Sequence, residues 1–154
     1  MFGDQKRSSK KELRVRVRSI LSQFEEGELV RKSELVSDNL HGLFSGNSTL
    51  DKVSPLEEEG VFFGGFAPLK DEPNWLICLE ELLKGRIAFP GLDKSGNMLF
   101  YKANTSDLGL TKVFGAPVLT PPSGNLIVCP KFILVPGLAF GENGSRLGRG
   151  KGFY

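Results

Sequence analysis

FILVPGLAFGENGSRLGRGKGFY, residues 132–154, joins a short apolar segment to a loop rich in glycine and basic residues. FILVP (132–136) is apolar and ends in proline, which predicts a short buried strand. In α/β proteins with a largely parallel sheet, ligands bind beyond the carboxyl ends of the strands. In an α/β fold, which the rest of the chain also predicts, this stretch would place a ligand site in the glycine-rich loop, residues 144–154.

The composition of the glycine-rich loop favours a phosphate as the ligand. Glycine allows positive φ and brings backbone N–H groups close to an anion, while arginine and lysine add charge. The residues predicted to hold the phosphate are Gly148, Gly150, Gly152, Arg146, Arg149 and Lys151. A helix that begins near Phe153 would favour the same anion through its N-terminus.

The spacing of these residues fits neither a Walker loop nor the dinucleotide-binding fingerprint. The other interpretation of the same composition is a frayed Gly/Arg terminus that binds nucleic acid weakly. The strand directly before the loop favours the phosphate site.

Helical and strand patterns alternate along the remaining chain. Apolar spacing predicts helices over 9–24, 33–45 and 75–84, with Ser8 or Ser9, Ser33 and Asn74 as their N-caps. Short apolar or alternating runs predict strands over 61–68, 86–90 and 97–103, whereas proline and glycine predict irregular structure over 115–124. This alternation predicts a single α/β domain over 1–154 with a mainly parallel sheet.

Basic residues concentrate at the two ends of the sequence. Residues 1–18 contain seven bases and two acids, and residues 144–154 contain three bases and no acid, although the net charge is only +2. Lys10 and Arg14 lie four apart and share one face of the first helix. The pattern fits either two solvated tails or two segments that converge on one anionic ligand.

Several protein classes are excluded or disfavoured by composition. No apolar run of 18 residues is present, so we expect no membrane span, and the N-terminal sequence lacks the apolar core of a secretory signal. Cys78 and Cys129 stand in apolar runs and are expected to be buried thiols rather than a disulfide or metal pair. These features predict a cytoplasmic protein.

The C-terminal motif, Leu134 to Phe140 followed by GxRLGRGKGFY over 144–154, resembles the signature of the 5-formyltetrahydrofolate cyclo-ligases. Weaker resemblances occur in the same order along the chain: Lys10-x-x-Leu13-Arg14, FAPLKDE (66–72), GRIAFP (85–90) and NMLF (97–100). The resemblance implies a three-layer α/β/α sandwich similar to ribose isomerases and CoA transferases. It also implies the ATP- and Mg²⁺-dependent conversion of 5-formyltetrahydrofolate to 5,10-methenyltetrahydrofolate, with release of ADP and phosphate.

The resemblance further implies roles for individual residues. The implied ATP-binding residues are Lys10, Arg14, Arg146, Gly148, Arg149, Gly150, Lys151, Gly152, Phe153 and Tyr154. The implied folate-binding residues are Ala67, Glu72, Arg149, Lys151 and Phe153, with Arg149 and Lys151 also acting in catalysis. Phe66 and Ala67 are either apolar walls of the folate site or ordinary strand core. No residue is identified as a metal ligand.

Three departures from the family pattern leave alternatives open. We expect the chain to lack the family's C-terminal segment with its metal-associated acids. Gly141 stands where the family often has aspartate, and Val118-Leu119 stand where it has a Glu-Pro or Gln-Pro dipeptide. The alternatives are a weakened or inactive member that binds nucleotide or folate, and a small nucleic-acid-binding protein. Residues 19–143 contain ten bases and 16 acids. This acidic middle part disfavours nucleic acid, so we predict small-molecule partners, no nucleic acid, no membrane and a monomer.

Overall fold

The computed structural model describes residues 9–45, 59–113 and 115–150. The helices are α1 (Lys10–Leu21) and α2 (Glu26–Phe44), with a short 3-10 helix at Thr105–Asp107. The strands are β1 (Phe63–Gly64), β2 (Ile87–Leu92), β3 (Met98–Lys102), β4 (Gly109–Val113), β5 (Ala116–Thr120), β6 (Ile127–Val128), β7 (Phe132–Ile133), β8 (Ala139–Phe140) and β9 (Arg146–Leu147). The fold is α/β, as predicted, whereas the three-layer arrangement stays a prediction.

The first helix begins where the sequence predicts. Ser9 is the N-cap of α1, and its Oγ accepts a 3.2 Å hydrogen bond from the Glu12 amide. Glu12 Oε2 in turn accepts a 2.8 Å hydrogen bond from the Ser9 amide. This reciprocal pair is a capping box, which satisfies two amides that the first helical turn leaves without backbone partners.

The second helix begins at Glu26, seven residues before the predicted cap at Ser33. Glu25, which precedes it, makes no side-chain cap, so no local signal marks this start. Ser33 is buried inside α2, where its Oγ donates to Leu29 O at 2.7 Å and accepts from Asn74 N at 3.0 Å. The serine that resembled a cap therefore joins α2 to the segment that begins at Asn74.

A five-stranded sheet has the order β6-β3-β2-β1-β7. β1 is parallel to β2 and β7, whereas β3 is antiparallel to β2 and β6. The sheet is therefore mixed, and the prediction of a mainly parallel sheet is wrong. The cause is the connection 93–97, because a parallel crossover needs about a dozen residues or more. Asp93 Oδ1 closes this connection by accepting 2.8 Å hydrogen bonds from the amides of Ser95 and Asn97.

Two separate hairpins stand beside this sheet. β4 pairs antiparallel with β5, so five residues of the 115–124 region form a regular strand where we predicted irregular structure. β8 pairs antiparallel with β9. Consequently the first part of the glycine-rich loop is a hairpin strand, and only 148–150 follow it as loop among the described residues.

The segment 75–85 forms consecutive turns instead of the predicted helix. Its predicted ends behave as expected, since Asn74 Oδ1 accepts from Leu76 N at 3.1 Å and Gly85 has φ +73°. Inside the segment, Ser37 Oγ of α2 donates to Trp75 O at 3.0 Å and accepts from Cys78 N at 2.8 Å. A side chain that bonds backbone groups in this way competes with the helical ladder.

The core lies between the five-stranded sheet, α2 and the 75–85 segment. Its largest fully buried side chains include Trp75, Phe63, Phe89, Leu79 and Leu83. The Trp75 ring lies where a Cβ of residue 65 would be, so Gly65 permits this packing. Trp75 Nε1 donates to Phe66 O at 2.9 Å. The tryptophan therefore fixes the chain just after β1, from which the candidate site begins.

The two cysteines do not follow the sequence prediction. Cys78 and Cys129 are both free and exposed. Cys78 lies on the outer side of the 75–85 segment, where its Sγ donates to Asp38 Oδ1 at 3.3 Å. The expectation of buried thiols is wrong because an apolar run in sequence does not specify which of its members face the core.

Candidate functional site

A tight turn after β1 presents two adjacent carboxylates. Glu72 N donates to Leu69 O at 2.9 Å, which closes the turn over residues 69–72. Glu72 Oε2 reaches back and accepts from Leu69 N at 3.0 Å. Pro73 follows and restricts the backbone of Glu72 to extended conformations. The turn thus holds Glu72 inward, with 8% of the residue exposed, while Asp71 is partly exposed beside it.

Arg149 bonds both of these carboxylates. Its Nε donates to Glu72 Oε1 at 2.8 Å, Nη2 donates to Asp71 Oδ1 at 2.7 Å, and Nη1 donates to Asp71 Oδ2 at 3.1 Å. Arg149 and Glu72 are 77 residues apart in sequence. They meet because β1 and β7 are parallel neighbours, so the segments that follow the two strands leave the sheet at the same edge.

The charges in this cluster shift two pKa values. Burial acts to raise the pKa of Asp71, but the hydrogen bonds and charge of Arg149, with a smaller contribution from Arg18, bring it below the ordinary 3.8. Burial likewise acts to lower the pKa of Arg149, and the two carboxylates outweigh it, so this pKa is raised. Asp71 and Arg149 therefore form an ion pair throughout the neutral range.

Helix α1 contacts the glycine-rich loop through two arginines. Arg14 Nε donates to Gly148 O at 2.9 Å, and Arg18 Nη2 donates to Arg149 O at 3.4 Å. Gly150 has φ +98°, and a Cβ there would lie 3.2 Å from Arg14 Cζ. The two basic segments therefore contact each other, through residue pairs 134 and 131 positions apart, while their convergence on one anionic ligand stays a prediction.

The structure also describes four other residues that the sequence predicts for the site. Lys10 is exposed at the start of α1, and no hydrogen bond or ion pair joins its side chain to another described residue. Arg146 lies on β9 and donates from Nη1 to Pro136 O at 2.7 Å. Gly148 does not have the positive φ that we predicted, in contrast to Gly150. Ala67 is half-buried between β1 and the 69–72 turn.

Four predicted residues lie outside the described part of the chain: Lys151, Gly152, Phe153 and Tyr154. Their assignment to the ATP and folate sites stays a prediction.

Residues 66–154 match the sequence profile of the 5-formyltetrahydrofolate cyclo-ligase family, which is more than half of the chain. The chain belongs to this family. It is also similar to the NMR structure of the 5,10-methenyltetrahydrofolate synthetase of Aquifex aeolicus, with a TM-score of 0.68 and 29% sequence identity. That match covers 94% of this chain and 69% of the other. A search of curated proteins gives no match.

The hydrogen-bonded cluster of Asp71, Glu72 and Arg149 thus belongs to a chain of a ligase family. Glu72 and Arg149 both lie inside the matched region, whereas Arg14 and Arg18 precede it. Across residues 9–45, 59–113 and 115–150, no helix is long and apolar enough to cross a membrane.

The cluster does not resemble a metal centre. Among the described residues, no group of three or more His, Cys, Asp or Glu side chains could hold a metal ion. The adjacent carboxylates of Asp71 and Glu72 bond one guanidinium instead. Among the described residues, the two carboxylates of this cluster therefore do not form a metal site made of protein ligands alone.

Two residues of the cluster were missed by the sequence analysis. Arg18 continues the spacing of Lys10 and Arg14 by four more positions, and this helical spacing would have found it. Asp71 is adjacent to Glu72, but sequence alone does not show that one arginine bonds both carboxylates.

Proposed function

We propose that this chain converts 5-formyltetrahydrofolate and ATP to 5,10-methenyltetrahydrofolate, ADP and phosphate. In the proposed reaction the formyl oxygen attacks the γ-phosphorus and takes the phosphoryl group, while ADP leaves. N10 then bonds to the activated formyl carbon and loses its proton. The C–O bond breaks last, so that the formyl oxygen departs in the phosphate.

The observation that carries this proposal is the bonded pair of Glu72 and Arg149 within the family-matched region. Glu72 Oε1 accepts a hydrogen bond from Arg149, and Glu72 Oε2 accepts one from the Leu69 amide. A carboxylate has about four acceptor positions, so roughly two remain for a ligand. A reduced pterin offers adjacent N–H donors, which pair strongly with an ionised acceptor. Glu72 is therefore our proposed folate anchor, with Ala67 beside it.

The ATP side of the proposed site is the contact between α1 and the glycine-rich loop. Phosphoryl transfer depends mainly on positioning and on neutralising phosphate charge. Arg14 and Arg18 each donate from one nitrogen to a loop carbonyl, and their guanidinium groups have further N–H donors for phosphate oxygens. Lys10, Arg146 and Lys151 supply additional positive charge in this proposal, and the backbone of Gly148, Gly150 and Gly152 supplies amides. Phe153 and Tyr154 complete the proposed ATP site.

Arg149 belongs to both halves of the proposed site. Its side chain bonds Glu72 on the folate side, and its carbonyl bonds Arg18 on the ATP side. We propose that it keeps the formyl group and the γ-phosphate in register, because an error of about 1 Å in such positioning costs about 100-fold in rate. Mg²⁺ is expected from the family, but we assign it no ligand among the described residues and no step of the reaction.

The test is a spectrophotometric assay of methenyltetrahydrofolate formation with this chain, ATP, Mg²⁺ and 5-formyltetrahydrofolate. Glu72→Gln should raise the KM for folate more than the KM for ATP, because the neutral amide pairs less strongly with the pterin donors. The matched control is Glu81→Gln, which removes a carboxylate that pairs with Lys84 on the surface. The opposite ranking of the two KM effects would remove Glu72 from the folate site.

The ATP side is tested with Arg14→Gln and the control Arg31→Gln, an exposed arginine of α2. Arg14→Gln should raise the KM for ATP and Arg31→Gln should leave it unchanged. Turnover by the unmodified chain would support the proposed ligase activity. Binding of ATP and 5-formyltetrahydrofolate without turnover would instead support a family member that binds these molecules but does not close the ring.

A further inference from the structure

Asp71 accepts hydrogen bonds from the two terminal nitrogens of Arg149, the arginine that also bonds Glu72. Nη1 and Nη2 of Arg149 donate to the two oxygens of Asp71, at 3.1 and 2.7 Å, so the contact is a two-pronged fork. Paired hydrogen bonds of this kind fix the plane of a guanidinium group as well as its position. Glu72 receives only the Nε–H of Arg149. A single bond of this kind leaves the guanidinium free to tilt about it, so the fork sets its orientation.

The two carboxylates differ in exposure, and this difference separates their roles. The Glu72 side chain is 7% exposed, whereas that of Asp71 is 40% exposed. The acceptor positions that Glu72 keeps for a ligand therefore lie in a shielded place, while Asp71 faces water on the outer side of Arg149. Asp71 therefore contacts Arg149 on the side of the guanidinium that faces away from Glu72.

We infer that Asp71 is a positioning residue of the folate site: it holds Arg149 with Nε towards Glu72 and thereby fixes the carboxylate that receives the pterin. The inference rests on the proposed function and adds to it a residue that the family resemblance did not single out. Without the fork, Arg149 swings away for part of the time, and Glu72 Oε1 loses its partner. The carboxylate then rotates off the geometry that the pterin donors need.

The same arrangement predicts a different effect on ATP. Asp71 is negatively charged and lies close enough to Arg18 for the two charges to interact. Replacing Asp71 by asparagine removes negative charge near the arginines that we assign to the phosphates. The KM for ATP should therefore stay the same or fall, while the KM for folate rises. General damage to the fold would raise both values.

The experiment compares Asp71→Asn, Arg149→Met and the double variant in the methenyltetrahydrofolate assay. Asp71→Asn should raise the KM for folate by up to about fivefold, because the asparagine amide accepts only part of the fork and the pair is partly open to solvent. In the Arg149→Met background the same substitution should change the KM for folate by less than about twofold, because Asp71 acts through Arg149. The control is Asp93→Asn, whose carboxylate also has a lowered pKa but closes the turn between β2 and β3. It should leave both KM values unchanged.

Failure of this inference is distinguishable from failure of the proposed function. An active wild-type chain with a normal folate KM in Asp71→Asn would overturn the inference alone, as would effects of the two single variants that multiply in the double variant. If the wild type binds 5-formyltetrahydrofolate without turnover, the dissociation constant for it replaces KM with the same expectations. If the wild type neither binds nor turns over, the proposed function is refuted, and the folate role of Asp71 with it.

A direct measurement of the arginine completes the test. The Arg149 Nε–H signal in NMR spectra of isotope-labelled protein should exchange slowly with water in the wild type and faster in Asp71→Asn. Equal exchange in both proteins would show that Asp71 does not hold the guanidinium, whatever the enzyme assay gives.

Discussion

Removal of Arg149 should destabilise the protein because it leaves Glu72 shielded from water without its cation. Arg149→Met keeps the length of the side chain and removes all of its hydrogen-bond donors. The bond to Glu72 carries most of the loss, because only 7% of the Glu72 side chain is exposed and water cannot fully replace the arginine. A hydrogen bond to a charged group contributes about 1.5–3 kcal/mol.

The bonds to Asp71 add little to this loss. The Asp71 side chain is 40% exposed, and an ion pair open to solvent contributes about 0–1 kcal/mol. We therefore expect the free energy of unfolding to fall by about 2–3 kcal/mol. For a protein of this size the melting temperature should fall by roughly 4–12 °C.

The assay is urea unfolding followed by the fluorescence of Trp75, the single tryptophan, which is 1% exposed in the folded protein. Glu72→Gln removes the charge that needs the arginine, so the double variant should be less destabilised than the sum of the single variants by about 1 kcal/mol or more. A loss below about 0.5 kcal/mol in Arg149→Met, or strict additivity, would refute the reasoning.

The remaining predictions concern stability at three other places. The pKa of Asp71 in the folded protein lies below 3.8, so its stabilising effect is present above that pH and is lost as the pH falls through the lowered pKa. The difference in unfolding free energy between wild type and Asp71→Asn should therefore be constant near neutral pH and shrink below about pH 4. Gly65→Ala should lower the free energy of unfolding in urea by about 1–3 kcal/mol, because the new methyl group overlaps the Trp75 ring. Gly42→Ala, which has open space around it in α2, should raise that free energy by up to about 1 kcal/mol. A change of the same sign in both variants would contradict this reasoning. Ser37→Ala should lower the free energy of unfolding by about 1–3 kcal/mol, since a buried carbonyl and a partly buried amide lose their partner. An unchanged melting temperature would show that the turns of 75–85 do not need this hydroxyl.

The sequence predicted the two segments that we propose as the sides of the site, but not the contact between them. Glu72 and Arg149 were both predicted through family motifs, and the structure joins them. The fork on Asp71 was not predictable, because it depends on how the 69–72 turn is placed against a segment 78 residues away. Spacing along one helix, by contrast, contained enough information to add Arg18 to Arg14.

The errors in the fold have identifiable physical causes. The mixed sheet was readable from the short connection 93–97, whose length alone excludes a parallel crossover between β2 and β3. The turns of 75–85 were not readable, because a hydroxyl from Ser37 on another element takes a carbonyl of the expected helix. The start of α2 was predicted seven residues too far along the chain because Glu25 provides no side-chain cap, whereas Ser33 has the residue type of one.

The bond between Arg14 and Gly148 has a consequence for the order of folding. None of the side chains of α1 is buried, so this helix gains little from packing, and the hydrogen bonds of Arg14 and Arg18 that attach it to the loop span more than 130 residues. Closing so long a segment is entropically costly, and contacts of this range form late. The sheet and the Trp75 core can therefore assemble while α1 is still detached. We therefore expect the contact between α1 and the loop, which is the proposed ATP side, to form last and open first, so hydrogen exchange at residues 148–150 should be governed by local opening rather than by global unfolding.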